Sequence, residues 1–400
     1  MRGVVRCVLG PVHVGTGGSG RLRTYLSAFV VCCVVAAPVW AATQRDKDDC
    51  ASNEPDRVIV GCTRIIEDRN ETTKAFATAH NSRGSAYYAK GDYNRAIADL
   101  SEAIRLDPKD TTAYNRRGLA YDNKGNTDRA IADYSEAIRL DARIAVTYFN
   151  RGRAYDSKED ADRAIADYSE AIRLDPKFAA AFANRARVYD AKGNSQRAIA
   201  DYSEALRLDP KDADSYSNRG RAYDSKNDYD RALADYSEAI KLGARTAATF
   251  SRRGRLRDTK GDVELAIADY SEAIRLDPMD LDTYTNRGFL YLSKNNYDRA
   301  IADLDQAIRL GPRFAVAYNN RGFAYNAKGE YDRAIADFDE AIRLSPRSAA
   351  AYNNRGFAYA AKGDFDRALA DLTQAIELKD RKSTRLNSSH IQKSRMPSSA

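Results

Sequence analysis

The sequence predicts an all-α solenoid built from about nine units of two helices each. Three observations carry that expectation. An Arg-Gly pair recurs nine times without a break, at every thirty-fourth position from Arg83-Gly84 to Arg355-Gly356, with Arg185-Ala186 the one variant. A fixed period of that length marks stacked helix pairs, each burying its apolar face only against its neighbours. Within the period, apolar residues follow helical spacing, and Gly and Pro punctuate it at constant places. With the first residue of the unit at Ala77, the units run 77–110, 111–144, 145–178, 179–212, 213–246, 247–280, 281–314, 315–348 and 349 to about 379.

In chain order, residues 1–42 read as an export presequence. Arg21 and Arg23 precede an apolar run, Tyr25–Trp40, and Val39-Trp40-Ala41 offers a small-x-small cleavage site. The expected location is the periplasm or the exterior. The alternative is an uncleaved inner-membrane anchor, for which about 16 apolar residues is short. The Gly-rich stretch before Arg21 is unusual for a presequence and leaves the true start open.

Residues 43–76 form an N-terminal extension with a capping helix. Pro55–Asp68 resembles the second helix of a unit, with Arg57-Val58-Ile59 standing where later units have Arg-Ala-Ile. Three of the five cysteines lie in the presequence, which leaves Cys50 and Cys62. An even pair in an exported chain reads as a disulfide, here strapping the extension over the half-unit. Two free thiols in a cytoplasmic chain are the alternative.

Unit eight illustrates the array. Tyr318, Phe323 and Tyr325, with small Gly322 among them, suit a first helix with one close-packed face. Gly329 follows where a left-handed C-terminal residue is expected. A second helix over Asp332–Leu344 carries Ala334, Ile335, Phe338, Ala341, Ile342 and Leu344 as a stripe, and Pro346 stops it.

These residues resemble the tetratricopeptide repeat (TPR) family. Its pattern of a bulky residue at position 4, small at 8, Tyr at 11, Ala at 20, large apolar at 24, Ala at 27 and Pro at 32 is met by Tyr318, Gly322, Tyr325, Ala334, Phe338, Ala341 and Pro346. The resemblance covers about residues 77–379 and implies a right-handed superhelical solenoid that binds protein or peptide along a concave groove. Departures are Ala186 for Gly, Leu256-Arg257 for Ala-Tyr, and Glu159 for the turn glycine, so unit six is expected to pack less well. One departure is systematic. Position 7, usually Leu in the family, is Arg in all nine units, and position 23, usually Tyr, is Asp in all nine, Asp99 to Asp371. A lone buried charge is costly, so each Arg and Asp are expected to form a partly buried pair. An anion-binding ladder is the alternative.

The resemblance also implies that positions 2, 5, 6, 9, 12 and 13 line the groove. Asn occupies position 6 in six units: Asn150, Asn184, Asn218, Asn286, Asn320 and Asn354. Position 9 divides the array. Units three to six place Arg153, Arg187, Arg221 and Arg255 there, with Asp156, Asp190, Asp224 and Asp258 at position 12, three residues on, where the two can pair along one helix. Units seven to nine place Phe289, Phe323 and Phe357 at position 9. An Asn row can hold the backbone of an extended peptide while Phe steps take its apolar side chains. The alternative is drift among repeats without a ligand. The Lys/Asn/Arg carboxylate clamp of chaperone-binding relatives is not reproduced.

Residues 380–400 break the repeat at Asp380 and are similar to the conceptual translation of a sequencing adapter, in the stretches DRKSTRLNSSH and SRMPSSA. They are expected to be foreign and unstructured, which places the natural C-terminus elsewhere. Composition changes meaning accordingly. The formal charge is +7, but residues 1–42 contribute +4 and residues 380–400 another +4, so residues 43–379 carry −1. A nearly neutral body removes the electrostatic case for a nucleic-acid partner.

Catalytic chemistry is not expected. In residues 43–379 His80 is the single histidine and only two cysteines remain, too few for a zinc cage or a Cys–His pair. The recurring Lys-Gly-Asp turns lack the strand and Lys-Ser/Thr of a phosphate loop. Carboxylates repeat in every unit at fixed helical places, as scaffold residues do. No cofactor or metal is expected. The function expected is an exported scaffold; the alternative is the regulatory arm of a longer enzyme.

Overall fold

The computed structural model describes the backbone of residues 42–68 and 70–394, and side chains as far as Lys379. The presequence and Trp40 therefore lie outside the described residues. Among the described residues two helices come first, α1 (Gln44–Cys50) and α2 (Pro55–Glu67). Four helix pairs follow: α3 (Thr73–Ala89) with α4 (Tyr93–Leu106), α5 (Thr111–Asn123) with α6 (Thr127–Leu140), α7 (Ala145–Ser157) with α8 (Ala161–Leu174), and α9 (Ala179–Ala191) with α10 (Ser195–Leu208). Five more complete the array. They are α11 (Ala213–Ser225) with α12 (Tyr229–Lys241), α13 (Ala247–Lys260) with α14 (Val263–Leu276), and α15 (Leu281–Ser293) with α16 (Tyr297–Leu310). The last two are α17 (Ala315–Ala327) with α18 (Tyr331–Leu344), and α19 (Ala349–Ala361) with α20 (Phe365–Ser394).

Local chemistry sets these boundaries. Most second helices start behind Asp or Asn caps: the side chains of Asp92, Asn126, Asp160, Asn194, Asp228 and Asn296 each accept a hydrogen bond from a backbone N–H in the first turn. The turn inside each pair needs a residue with positive φ. Gly329 supplies it at 80°, and Glu159, Asn227 and Asn295 adopt it at 60°, 61° and 57°. Asn tolerates that region better than most residues, whereas Glu does not, so unit three carries local strain that the glycine units avoid.

Packing within a pair depends on close approach at position 8. A Cβ placed on Gly118 would lie 2.6 Å from the Tyr134 ring, and one on Gly322 would lie 2.7 Å from Phe338. The alanines at positions 20 and 27 are buried from Ala96 to Ala375. Each large residue at position 24 thus drops into a slot floored by small ones. Unit six departs from expectation. Leu256 is fully buried, and Arg257, standing where other units have Tyr, reaches Asp269 at 2.8 Å and shares it with Arg253.

The ends differ from the sequence reading in three ways. Helix α1 is an unforeseen turn, nucleated by a capping box in which the Thr43 hydroxyl accepts from the Asp46 N–H while Asp46 accepts from the Thr43 N–H. Helix α3 begins at Thr73, ahead of the expected unit boundary, because Thr72 caps it through the Ala75 N–H. The backbone of α20 stays helical to Ser394 instead of losing structure at Asp380; residues 380–394 contain no Gly or Pro to end it.

Candidate interaction groove

Each unit is clamped by its Arg–Asp pair. Arg219 Nε donates to Asp235 Oδ2 and Nη2 to Oδ1, both at 2.8 Å, and the same fork recurs from Arg83–Asp99 to Arg355–Asp371. The pairs are mostly buried, and the fork satisfies both carboxylate oxygens. The remaining nitrogen reaches backward. Arg219 Nη1 donates to Ser203 Oγ of the preceding unit at 3.1 Å, and Arg83 Nη1 reaches Thr63 Oγ1 of α2 at 2.9 Å. Units seven and eight offer an acid at that place instead, so Arg321 and Arg355 also bridge to Asp305 and Asp339. The carboxylates already use every arginine in the ladder, which leaves no open anion site there.

First helices of successive units approach one another, α3 with α5, α5 with α7, α15 with α17 and α17 with α19, so they line the inner side of the curve. On this face Arg187, Arg221 and Arg255 do pair with aspartates, but not three residues on along the same helix. Their partners are Asp156, Asp190 and Asp224, each on the first helix of the preceding unit. Curvature brings position 9 of one unit beside position 12 of the last, closer than the i,i+3 partner. Arg153 occupies the equivalent place beside Asp122, whose carboxyl is pushed up by burial and lowered in part by that guanidinium.

Beneath these pairs lie Tyr134, Tyr168, Tyr202, Tyr236 and Tyr270, all buried. The hydroxyls of Tyr134, Tyr168, Tyr202 and Tyr270 have no hydrogen-bond partner. Burial pushes the pKa of all five up, and the neighbouring position-12 aspartates add to it. Tyr236 is pushed up to about 12, with the Arg252 guanidinium offsetting part of the effect of burial. The sequence reading missed this row. Its signal is the coincidence of Tyr at position 24 with Asp at position 12 in units two to six.

The asparagines divide. Asn150 is buried and donates to Asn115 Oδ1 at 3.1 Å, and Asn354 donates to Asn319 Oδ1 at 3.1 Å. Asn184 donates back to the Ala180 carbonyl of its own helix. Asn320 accepts from Asn319 and keeps its own amide nitrogen free, while the side chains of Asn218 and Asn286 have no hydrogen-bond partner among the described residues. Phe289, Phe323 and Phe357 are 53%, 45% and 54% exposed, one per unit on the same face. Exposed phenyl rings at a fixed interval leave a stepped apolar strip along the inner side.

At the amino end Cys50 and Cys62 are disulfide-bonded, and both are buried. The bond ties α1 onto α2, alongside Arg64–Asp46 at 2.6 Å. Among the described residues no cluster of His, Cys, Asp or Glu could hold a metal ion, and no helix is long and apolar enough to cross a membrane.

Comparison with known proteins agrees with the repeat. Profiles described as tetratricopeptide repeat and TPR repeat match residues 84–125, 111–143, 145–178, 168–200, 187–224, 213–243, 259–294, 290–326, 324–363 and 349–381. No curated protein sequence matches. Among solved structures, YrrB, described as a TPR protein with an unusual peptide-binding site, is 24% identical over 46% of this chain and 95% of its own, with a TM-score of 0.44. MamA is 26% identical over 40% and 93%, with a TM-score of 0.38. PilF of Pseudomonas aeruginosa is 20% identical over 53% and 97%, with a TM-score of 0.49.

Proposed function

Because the chain belongs to the tetratricopeptide repeat family, whose repeats build protein-interaction scaffolds, we propose that it is an exported, non-catalytic scaffold that holds a protein partner along its inner groove in the bacterial envelope. The observation that carries the proposal is the row Phe289, Phe323 and Phe357, exposed on the inner face at one ring per unit. Soluble proteins seldom leave such a strip bare unless something covers it. Asn286 and Asn320, each three residues before a Phe, supply amide groups that can bond to the backbone of an extended segment. Asn218, Arg153, Arg187 and Arg221 line the other half, where most of the charge is already paired.

Capture from envelope extract tests the reading. The intact chain should retain a discrete partner, and replacing Phe289, Phe323 and Phe357 together by Ser should abolish retention with the helical signal unchanged. Retention that ignores the triple substitution would remove the groove from the function. Export has its own readout: cleavage after the presequence removes Trp40, the single tryptophan, so the envelope form should lack tryptophan emission.

A further inference from the structure

The two halves of the groove meet at Asp258. Asp156, Asp190 and Asp224 each pair with the position-9 arginine of the next unit, and Asp122 has Arg153 in that register. For Asp258 the residue in that register is Phe289. Asp258 accordingly has no ion pair and no side-chain hydrogen bond among the described residues, and Arg255, three residues before it, is engaged by Asp224. Its carboxyl is pushed up by burial with no cation offsetting it.

Beneath Asp258 lies Tyr270, as a tyrosine lies beneath the position-12 aspartate of each of units two to five. The Tyr270 hydroxyl is fully buried and bonds to nothing, and the Asp258 charge opposes its ionisation, which puts the two close together. The two oxygens of the Asp258 carboxylate are the acceptors open to an incoming ammonium or guanidinium. In units three to five the arginine of the next unit fills the equivalent place above the tyrosine.

Resting on the peptide-groove reading above, we infer that the ligand is an extended peptide segment with one Lys or Arg seated on Asp258 over Tyr270, and apolar side chains laid across Phe289 and Phe323. The segment's cation takes the place that an arginine of the chain holds in the earlier units. Charge complementarity sets the register: the basic residue stops at the last open aspartate, and the apolar residues run toward Phe357. In an extended strand alternate side chains share a face, so the apolar positions fall at every second residue. Units three to five, with their aspartates already paired, act as the wall that ends the site.

Selection of a randomised twelve-residue peptide library on the immobilised protein tests this. Enriched peptides should carry one basic residue next to alternating apolar ones, and their affinity should fall roughly tenfold on Asp258→Asn. Asp258→Lys should select an acid in the same place. Peptides that depend on Phe323, yet show no basic preference and ignore Asp258→Asn, would overturn the register while leaving the groove reading intact. Peptides indifferent to Phe323→Ala, or no enrichment at all, would overturn both.

Discussion

Arg219 and Asp235 meet edge to edge, two parallel N–H···O bonds of 2.8 Å joining the first helix of unit five to its second, where the family places two apolar residues. A third bond, from Nη1 to Ser203, ties that fork to unit four. The hydrogen bonds to Asp235 are the largest influence on the guanidinium and hold it charged despite burial. Nine such forks replace apolar packing with directional contact, which fixes the angle between helices more narrowly than apolar contact alone would.

Removing one partner should therefore cost more than the pair contributes. Arg219→Leu leaves Asp235 buried and alone and should destabilise the chain by about 3–5 kcal/mol. Arg219→Leu combined with Asp235→Tyr should recover most of that loss, and Ser203 is spared because its hydroxyl already donates to the Ile199 carbonyl. Denaturant unfolding of the four chains of a double-mutant cycle checks it; simple additivity would mean the two residues are independent.

Close approach at position 8 predicts a graded response to one methyl group. Gly118→Ala would bring a Cβ to 2.6 Å from the Tyr134 ring, whereas Gly220→Ala meets Tyr236 at 3.2 Å. Overpacking should cost the first about 1–3 kcal/mol. The second should fall within about 1 kcal/mol of neutral, since alanine's helix preference offsets a mild squeeze. Unit four already tolerates Ala186 at this place. Equal losses at both sites, measured by thermal melting, would contradict the packing argument.

The buried tyrosines predict how the array responds to alkali. Burial pushes the pKa of Tyr134, Tyr168, Tyr202, Tyr236 and Tyr270 up, while unfolded tyrosines ionise near pH ~10. Folding favours the neutral phenol, so this contribution is complete below that pH and is lost as pH rises toward the folded value, about 12 for Tyr236. Five of the 25 tyrosines, a fifth of the absorbance change, should thus ionise late and together with loss of helix. A single smooth titration with the helical signal intact would count against burial of these hydroxyls.

Reduction should act locally. The Cys50–Cys62 bond closes a loop of separation 12 at the amino end, and opening it should loosen α1 by about 3 kcal/mol or less without melting the units beyond α3. Hydrogen exchange before and after reductant checks this. Thiol titration of the unfolded, unreduced chain without its presequence should find none.

Much of this was legible in the sequence. The fixed period specified the helix pairs, and Arg at position 7 with Asp at position 23 specified their bond, because a charge repeated on two facing helices must be matched. The cysteine pairing followed from an even pair left beyond the presequence. What the sequence did not yield depends on how units stack. By sequence Arg187 is matched to Asp190, three residues on along its own helix, yet the curvature of the array brings it to Asp156 on the unit before. The same curvature hides the Tyr hydroxyls under that pair. Arg257 read as a lost aromatic, yet its length lets it reach Asp269. Helix α1 was missed because it is short and polar and only the Thr43–Asp46 box announces it.

No unit of this array is complete in itself. Each brings a fork and the carboxylate that receives it, but a third N–H of the guanidinium is always accepted by the unit before, and for the first unit by Thr63 of α2. The chain is thus a row of interchangeable cassettes with a direction. Excising or duplicating one whole period leaves every arginine facing an acceptor, so genetic changes of that size can lengthen or shorten the groove while conserving its joints. A block one residue longer or shorter would rotate the helix beyond it and strand that arginine. The joint thereby proofreads the length of the repeat, and a sequence held together this way can vary widely on its inner face while its period stays fixed.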